Sequence, residues 1–307
     1  MIATIYTHPR MANTIFQSEK LRKTMVESGI EFVADPKEAM VLVANRMPMI
    51  RELTKKFGSS KKYLLWTHEP NFYKSGAKWA NNFNQKIRTI SLRSGEIFED
   101  NYYYIEIPRV EPKPAAVTTN INLNRRIVFV GKGPGHNSKE SPAVKGASLE
   151  HLRCEIALAG FRMGGLDIFG MGWPPGISKG ESRRGAWSLA KYKILVNYHF
   201  NLCFENTLFP YYCSEKIWHS IYCGCLPIYF GQETIYKDFP RDSFLDYTEF
   251  GTPEALLDKV DGMSGEEFAG RYNKCLEVLE KALPIGDRSR QRAARYAASQ
   301  IRAMMGF

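Results

Sequence analysis

Residues 198–231 read YHFNLCFENTLFPYYCSEKIWHSIYCGCLPIYFG, and this stretch decides the fold. An aromatic and apolar run at 198–204 is followed by a polar loop. Ser214 then precedes an apolar helix pattern that ends at Gly224, and 226–231 supplies another β-rich run. The stretch predicts a strand, a loop, a helix and a strand, the repeating unit of parallel α/β sheets.

The same alternation extends towards both ends of the 307-residue chain. Further β-rich runs lie at 2–6, 30–33, 40–44, 63–66, 87–92, 102–107, 126–130 and 166–169. A connector rich in Pro, Thr and Asn separates the first six runs from the others, and a chain of this length exceeds one comfortable core. The sequence therefore predicts an α/β fold with two Rossmann-like domains, 1–120 and 121–285, and a basic C-terminal helix at 286–307.

Composition limits the class of protein. The chain has a formal net charge of +10, which suits an anionic partner, but its basic residues are scattered and form no nucleic-acid-binding module. We therefore predict no nucleic-acid partner, and keep a non-enzymatic nucleic-acid-binding protein as the less favoured alternative. No apolar stretch approaches a membrane span and the start lacks a signal-peptide pattern, so we expect a cytoplasmic protein. The six cysteines lack metal-site spacing and are predicted to be structural thiols.

Polar residues collect where the strand at 198–204 ends, and ligands of open parallel sheets bind beyond the carboxyl ends of strands. Ser214 lies near a helix N-cap and Lys216 in the first turn, where the helix dipole opposes a cation. An anion held between Lys216 and the free helix amides explains that choice. The alternative is a solvated Lys216 with Glu215 favouring the helix start, and this residue pair alone favours the alternative.

Three motifs make the comparison specific: NLCFENT at 201–207, YCSEKIW at 212–218 and GCLPIYFG at 224–231. Together they resemble the signature of the alpha-1,3/4-fucosyltransferase family, in its bacterial type. The resemblance is strong over about fifty residues and weaker elsewhere, as at WTHEP, 66–70. It implies a GT-B-like fold with two parallel sheets facing a cleft, GDP-fucose as donor, a glycan acceptor and inversion at the anomeric carbon. Ser214 departs from the commoner Thr, which affects the expected substrate preference more than the reaction class.

The same resemblance implies roles for individual residues. Glu69 is the expected catalytic base, and the neighbouring His68 competes for that role. Lys216 and Arg153 are expected to stabilise the leaving diphosphate, and Glu215 to accept hydrogen bonds from the ribose. The full set predicted to bind substrate is Arg153, Asn206, Tyr212, Ser214, Glu215 and Lys216.

Several finer expectations accompany this hypothesis. The chain has no D-x-D motif, so we predict neither a cofactor nor an obligatory metal. The glycine-rich turn at 131–135 lacks phosphate-loop spacing and is interpreted as a flexible surface loop. The helix at 286–307 either lies on an anionic inner-membrane surface or packs on the N-terminal domain, and the sequence slightly favours packing. Another donor such as GDP-mannose is the nearest alternative, with N-acetylglucosamine or glucose units of a surface polysaccharide or lipopolysaccharide as expected acceptors.

Overall fold

A computed structural model describes residues 1–12, 14–68, 87–91, 97–105, 113–134, 148–182 and 187–307. These residues form two compact units. The first unit contains the described residues up to Tyr103 together with 285–307, and the second contains those from Tyr104 to Pro284. The predicted domain boundaries lay at 120 and 285. Each unit is built on its own parallel sheet.

The first unit is a five-stranded parallel sheet in the order β2-β1-β3-β4-β5. Its strands are β1 (Ala3–Thr7), β2 (Ile30–Phe32), β3 (Val41–Ala44), β4 (Lys62–Thr67) and β5 (Ile87–Ser91). Its helices are α1 (Glu19–Glu27) and α2 (Met47–Phe57), with a 3-10 turn at Gly58–Ser60. All four residues of the central strand β3 are buried, because helices cover parallel sheets on both faces.

The second unit holds another five-stranded parallel sheet, in the order β10-β9-β8-β6-β7. Its strands are β6 (Ile127–Val130), β7 (Leu166–Phe169), β8 (Phe200–Leu202), β9 (Leu226–Tyr229) and β10 (Leu245–Asp246). Its helices are α3 (Glu150–Arg162), α4 (Trp187–Leu195), α5 (Glu215–Tyr222), α6 (Pro253–Asp261) and the first part of α7 (Gly265–Met305), with 3-10 turns at Glu233–Lys237 and Tyr247–Glu249. Two parallel sheets with crossover helices confirm the predicted fold class.

The prediction of a strand at 102–107 is wrong for residues 102–105, which the structure describes. Residues 101–104 form a turn, and 106–107 lie outside the described residues. Asp100 starts this turn, since its carboxylate accepts the Tyr102 backbone N–H at 2.9 Å. Such a local hydrogen bond competes with strand pairing, so the aromatic run does not extend.

The predicted flexible surface loop is also wrong for residues 131–133, because this turn packs tightly against the turn after β7. A Cβ added to Gly133 would lie 2.4 Å from the carbonyl oxygen of Gly172. Gly170 has φ +126°, and a Cβ there would lie 2.1 Å from the carbonyl oxygen of Gly131. Glycine is required because the two backbones touch, which fixes both turns at the carboxyl edge of the second sheet.

The basic C-terminal segment is the end of the long helix α7, and its apolar face packs within the first unit. Ala293, Ala294, Ala297, Ala298 and Ile301 are buried. Arg88 of β5 donates to the Gln300 side chain at 2.9 Å, and Asp100 accepts the Ser289 hydroxyl at 3.0 Å. The predicted packing on the N-terminal domain is therefore confirmed. Within the part of the chain that the structure describes, no helix combines the length and hydropathy needed to cross a membrane.

Candidate functional site

The candidate site lies at the carboxyl edge of the second sheet. Strand β8 ends at Leu202, and the chain then stays in register with its neighbour, since the Glu205 N–H donates to the Phe230 carbonyl at 2.9 Å. The Glu205 side chain is 0% exposed. The position beyond the carboxyl ends of β8 and β9 is where open parallel sheets bind ligands.

Four donors surround the Glu205 carboxylate. Its Oε1 accepts the Ser214 backbone N–H at 2.8 Å and the Tyr229 hydroxyl at 3.2 Å. Its Oε2 accepts the Ser214 hydroxyl at 2.6 Å and Lys216 Nζ at 3.2 Å. A buried carboxylate is stable only when such donors replace its lost water. The sequence analysis assigned no role to Glu205, although a glutamate directly after an apolar strand was a signal for one.

Lys216 is a nearly buried cation in the first turn of α5. Its ammonium donates to Ser214 Oγ at 2.7 Å, in addition to Glu205. Burial lowers the pKa of Lys216, but the carboxylates of Glu205 and Glu215 outweigh burial and raise the pKa above its usual value. Lys216 is therefore charged at neutral pH, and the solvated alternative considered for it is wrong because its side chain is only 18% exposed.

Ser214 occupies the N-cap position of α5, as predicted, but its side chain forms no cap hydrogen bond there. Its hydroxyl binds Glu205 and Lys216 instead. The first N–H groups of a helix have no partner within the helix, and the helix dipole makes that end positive. The start of α5 is thus a place where an anion gains amide hydrogen bonds and meets the Lys216 ammonium.

Arg153 and Asn206 meet because the start of α3 is tied to the loop after β8. Leu149 N–H donates to the Asn206 carbonyl at 2.9 Å, and Ser148 forms an isolated β-bridge with Thr207. Arg153, one turn into α3, then places Nη1 2.5 Å from Asn206 Oδ1. Its buried Nε has no hydrogen-bond partner among the described residues. A guanidinium with an unused donor is suited to a phosphate oxygen.

A second lysine, Lys191, adds to the electrostatic field around Glu215. Burial raises the pKa of Glu215, but Lys216, Lys191 and His219 outweigh it and bring the pKa down to about 2. Burial lowers the pKa of Lys191, which lies on α4 and is only 7% exposed. The sequence analysis did not identify Lys191. The signal in the sequence was its place four residues before Leu195, on the same face of the helix.

The remaining predicted residues differ in what the structure shows of them. Tyr212 is buried two residues before the N-cap of α5, where the predicted contact with donor stays a prediction. The preceding Tyr211 has φ +60°, a strained conformation for an aromatic residue, and its N–H donates to Thr234 Oγ1 at 2.8 Å. Glu69 lies outside the described residues.

His68, the competing base, follows β4 and is held by aromatic neighbours. Its Nε2 lies 3.2 Å from Trp66 Nε1, which donates to it, and 3.2 Å from the Tyr103 hydroxyl. Burial lowers the pKa of His68 to about 4. His68 is therefore a neutral, hydrogen-bonded residue at neutral pH, and this arrangement favours a structural role.

The structure places no group of three or more His, Cys, Asp or Glu side chains where they hold a metal ion, in the ranges that it describes. All six cysteines are buried free thiols, as predicted.

Residues 178–276 match the family model described as glycosyltransferase family 10 (fucosyltransferase) C-term. This part of the chain is therefore similar to the C-terminal domain of glycosyltransferase family 10. The match supports the family resemblance of the motifs at 201–231. The match covers the edge that bears Asn206, Ser214, Glu215 and Lys216, and it ends within α7.

Relatives of known name carry related activities. The chain is 26% identical to the alpha-(1,3)-fucosyltransferase FucT of Helicobacter pylori over 222 residues, 66% of this chain and 46% of that protein. It is 27% identical to an alpha-(1,4)-fucosyltransferase of Arabidopsis thaliana, over 40% of this chain and 33% of the relative. It is 36% identical to GDP-fucose protein O-fucosyltransferase 3 of Rattus norvegicus, over 24% and 17%. The chain thus spans less than half the length of these relatives.

Solved structures of an alpha1,3-fucosyltransferase also align with the chain. The structure with GDP-fucose covers 91% of this chain and 81% of its own, at 17% identity and a TM-score of 0.45. The structure described without ligand aligns at 19% identity and the same TM-score of 0.45.

The state of His68 gives a direct test by NMR. We expect its imidazole to stay neutral from about pH 8 to about pH 5, because burial has moved its pKa far below the usual value of about 6.5. Long-range ¹H–¹⁵N spectra measure this, with His68→Gln assigning the signal. The unfolded chain takes up the proton at higher pH than the folded one, so stability is lost as pH falls from about 6.5 towards about 4. A midpoint near 6.5 in the folded protein contradicts the assignment.

Proposed function

We propose that the protein is an inverting glycosyltransferase that transfers fucose from GDP-fucose to a hydroxyl group of a glycan. The observation that carries this proposal is the anion site at the start of α5, built from Lys216 and uncapped helix amides. It lies inside the segment that matches the family 10 C-terminal domain. The names of the relatives support fucose as the transferred sugar.

The chemistry of the site suits the departure of a nucleoside diphosphate. As the bond to the sugar breaks, negative charge grows on the diphosphate, and fixed cations at that position lower the barrier. Lys216 keeps one ammonium N–H beyond its two bonds to Ser214 and Glu205. The unused Nε of Arg153 supplies a further donor. Asn206 orients Arg153, and Glu215, ionised and partly exposed, accepts hydrogen bonds from the ribose hydroxyls.

The acceptor step needs a base, and we propose Glu69. Inversion by direct displacement requires one group to take the proton from the attacking hydroxyl. The family resemblance at 66–70 supports Glu69, and the hydrogen bonds and lowered pKa of His68 leave that histidine poorly suited to the role. The proposed acceptors are N-acetylglucosamine or glucose units of a surface glycan, joined through an alpha-1,3 linkage.

The donor is tested first by measuring GDP release from GDP-fucose with N-acetyllactosamine-type acceptors. We expect acceptor-dependent release that drops by roughly a hundredfold or more in Lys216→Met, since an electrostatic donor to the leaving group is lost. Lys193→Met removes an exposed lysine from the same domain and is the matched control, with activity within about twofold of the parent. Glu69→Gln is expected to retain GDP binding and lose transfer.

Each result of that assay has a defined meaning. Release from GDP-mannose in place of GDP-fucose moves the donor assignment and keeps the reaction class. Equal losses in Lys216→Met and Lys193→Met contradict the assigned role of Lys216. If the parent protein releases no nucleotide from any nucleotide sugar, the proposed activity is refuted.

We propose further that transfer needs no metal ion, because lysine, arginine and helix amides meet the diphosphate charge. Initial rates with excess EDTA are expected to stay within about twofold of rates with added Mg²⁺ or Mn²⁺, since no charge stabilisation is removed. The control is a metal-dependent sugar transferase assayed in the same buffers. Abolished transfer in EDTA with recovery on adding a metal contradicts the proposal.

Contact with an anionic membrane surface is the last part of the proposal. Arg288 and Arg295 are exposed on α7 and form no ion pair within the described part of the chain. The apolar face of this segment is buried, so binding would depend on charge and not on insertion.

A flotation assay tests this contact with phosphatidylglycerol vesicles and neutral phosphatidylcholine vesicles. We expect salt-sensitive binding to the anionic vesicles alone, weakened about fivefold by each of Arg288→Gln and Arg295→Gln because each removes one attraction of about 1 kcal/mol. Lys193→Gln is the charge-matched control. Binding that salt and the arginine variants leave unchanged contradicts the charge contact.

A further inference from the structure

We propose that Glu205 is a positioning residue for donor binding: it holds the Ser214 hydroxyl and the Lys216 ammonium so that the start of α5 stays open to the diphosphate. This inference rests on the proposed function, because it explains how the same site is organised. Neither the family match nor the names of the relatives assigns a role to this residue.

Because the Glu205 side chain is buried, it can affect a substrate only through the residues that it contacts. Its side chain is 0% exposed, and both carboxylate oxygens are already occupied by protein donors. A substrate therefore meets the partners of Glu205 and not Glu205 itself. Two of these partners, Ser214 and Lys216, lie at the first turn of α5, and the third, Tyr229, closes the carboxylate from β9.

The hydrogen bonds of Ser214 show what Glu205 changes. A serine at an N-cap usually accepts a backbone N–H from the first turn of its helix. Here the hydroxyl donates to Glu205 at 2.6 Å and accepts from Lys216 at 2.7 Å, and the cap bond is not formed. The carboxylate thus turns the serine away from amides that an anion can then use.

The hydrogen bonds of Lys216 show the second effect. An ammonium group has three N–H donors, and Glu205 and Ser214 take two of them. The ammonium is fixed in direction before a ligand arrives, and one donor is left for a phosphate oxygen. Burial alone lowers the pKa of Lys216, and the Glu205 carboxylate is the largest influence that raises it. Glu205 therefore fixes both the place and the charge of Lys216.

A buried carboxylate can also be purely structural, and the same domain supplies a matched example. Asp167 on β7 is 2% exposed and accepts from Arg126 Nε at 2.6 Å and Lys179 Nζ at 2.7 Å. It also accepts the Tyr198 hydroxyl, and it shares no partner with Glu205. Loss of this charge affects folding stability without changing Lys216.

The experiment compares the full-length parent with Glu205→Gln and Asp167→Asn, which each replace a buried carboxylate by its amide. GDP is the probe, titrated by calorimetry from about pH 7 to about pH 11.5 so that the range passes the ordinary lysine pKa of about 10.4. Unfolding temperature and near-UV circular dichroism report on the fold. For Glu205→Gln we expect GDP affinity to fall roughly tenfold. We also expect the alkaline limb, the high-pH range in which GDP affinity declines, to move down by about one pH unit, because the Lys216 ammonium loses the Glu205 carboxylate beside it. Asp167→Asn is expected to lower the unfolding temperature and leave both GDP readouts unchanged.

The transfer assay adds a second readout. In Glu205→Gln we expect kcat to fall roughly tenfold to a hundredfold, more than KM for the donor rises, because Lys216 acts mainly on charge that grows during bond breaking. If Glu205→Gln has the same GDP affinity and the same alkaline limb as the parent, the proposal is overturned. A variant that resembles Asp167→Asn, with a lower unfolding temperature and no change in GDP binding, overturns it equally.

If Glu205→Gln does not fold, Glu205→Asp replaces it in the experiment, because aspartate keeps the charge and shortens the side chain. We expect weaker GDP binding with an unshifted alkaline limb, and parent affinity overturns the proposal. Failure of the proposed function is distinguishable: a parent that binds GDP but transfers no sugar refutes the activity, while the Glu205 effect on GDP binding still decides this inference. A parent that binds no GDP refutes both.

Discussion

The second domain depends on one buried contact, the carboxylate of Glu205 against Ser214 and Lys216. A carboxylate removed from water must recover its hydrogen bonds from the protein, and here all four come from the start of α5 and from Tyr229. The constraint joins the end of β8 to the start of α5. The anion site is therefore built by the same contacts that let this edge of the sheet pack.

Charge alternates through the site, which explains how buried ions coexist there. Glu205 faces Lys216, Lys216 faces Glu215, and the field of Lys191 keeps Glu215 ionised. The opposite charge of its neighbours offsets the desolvation cost of each ion, so removal of one ion leaves another unpaired in a poorly solvated place. Arg153 joins this edge through Asn206 and retains an unused donor. A diphosphate adds negative charge where fixed donors are ready for it.

The two glycine-rich turns and the C-terminal helix show where local patterns were misleading or incomplete. The glycine-rich turn at 131–135 suggested a flexible loop, but a side chain on Gly133 would collide with the Gly172 backbone, and one on Gly170 would collide with the Gly131 backbone. The aromatic run at 102–107 suggested a strand, and an Asp100 hydrogen bond made a turn instead. The basic helix had two open interpretations, and buried alanines decided for packing. In each case a contact distant in sequence or a local side-chain bond outweighed the pattern.

The sequence by itself determined the two parallel α/β sheets, the family resemblance and the helix start at Ser214, because strand and helix periods and motif spacing are local properties. Tertiary structure alone decided that Glu205 organises the site, that Lys191 supports Glu215, and that Arg153 reaches Asn206, which lies 53 positions further along the chain. It also decided that His68 is neutral, since its burial by aromatic rings depends on residues far along the chain. Desolvation and long-range pairing arise only when strands are brought together, and no spacing in the chain encodes them directly.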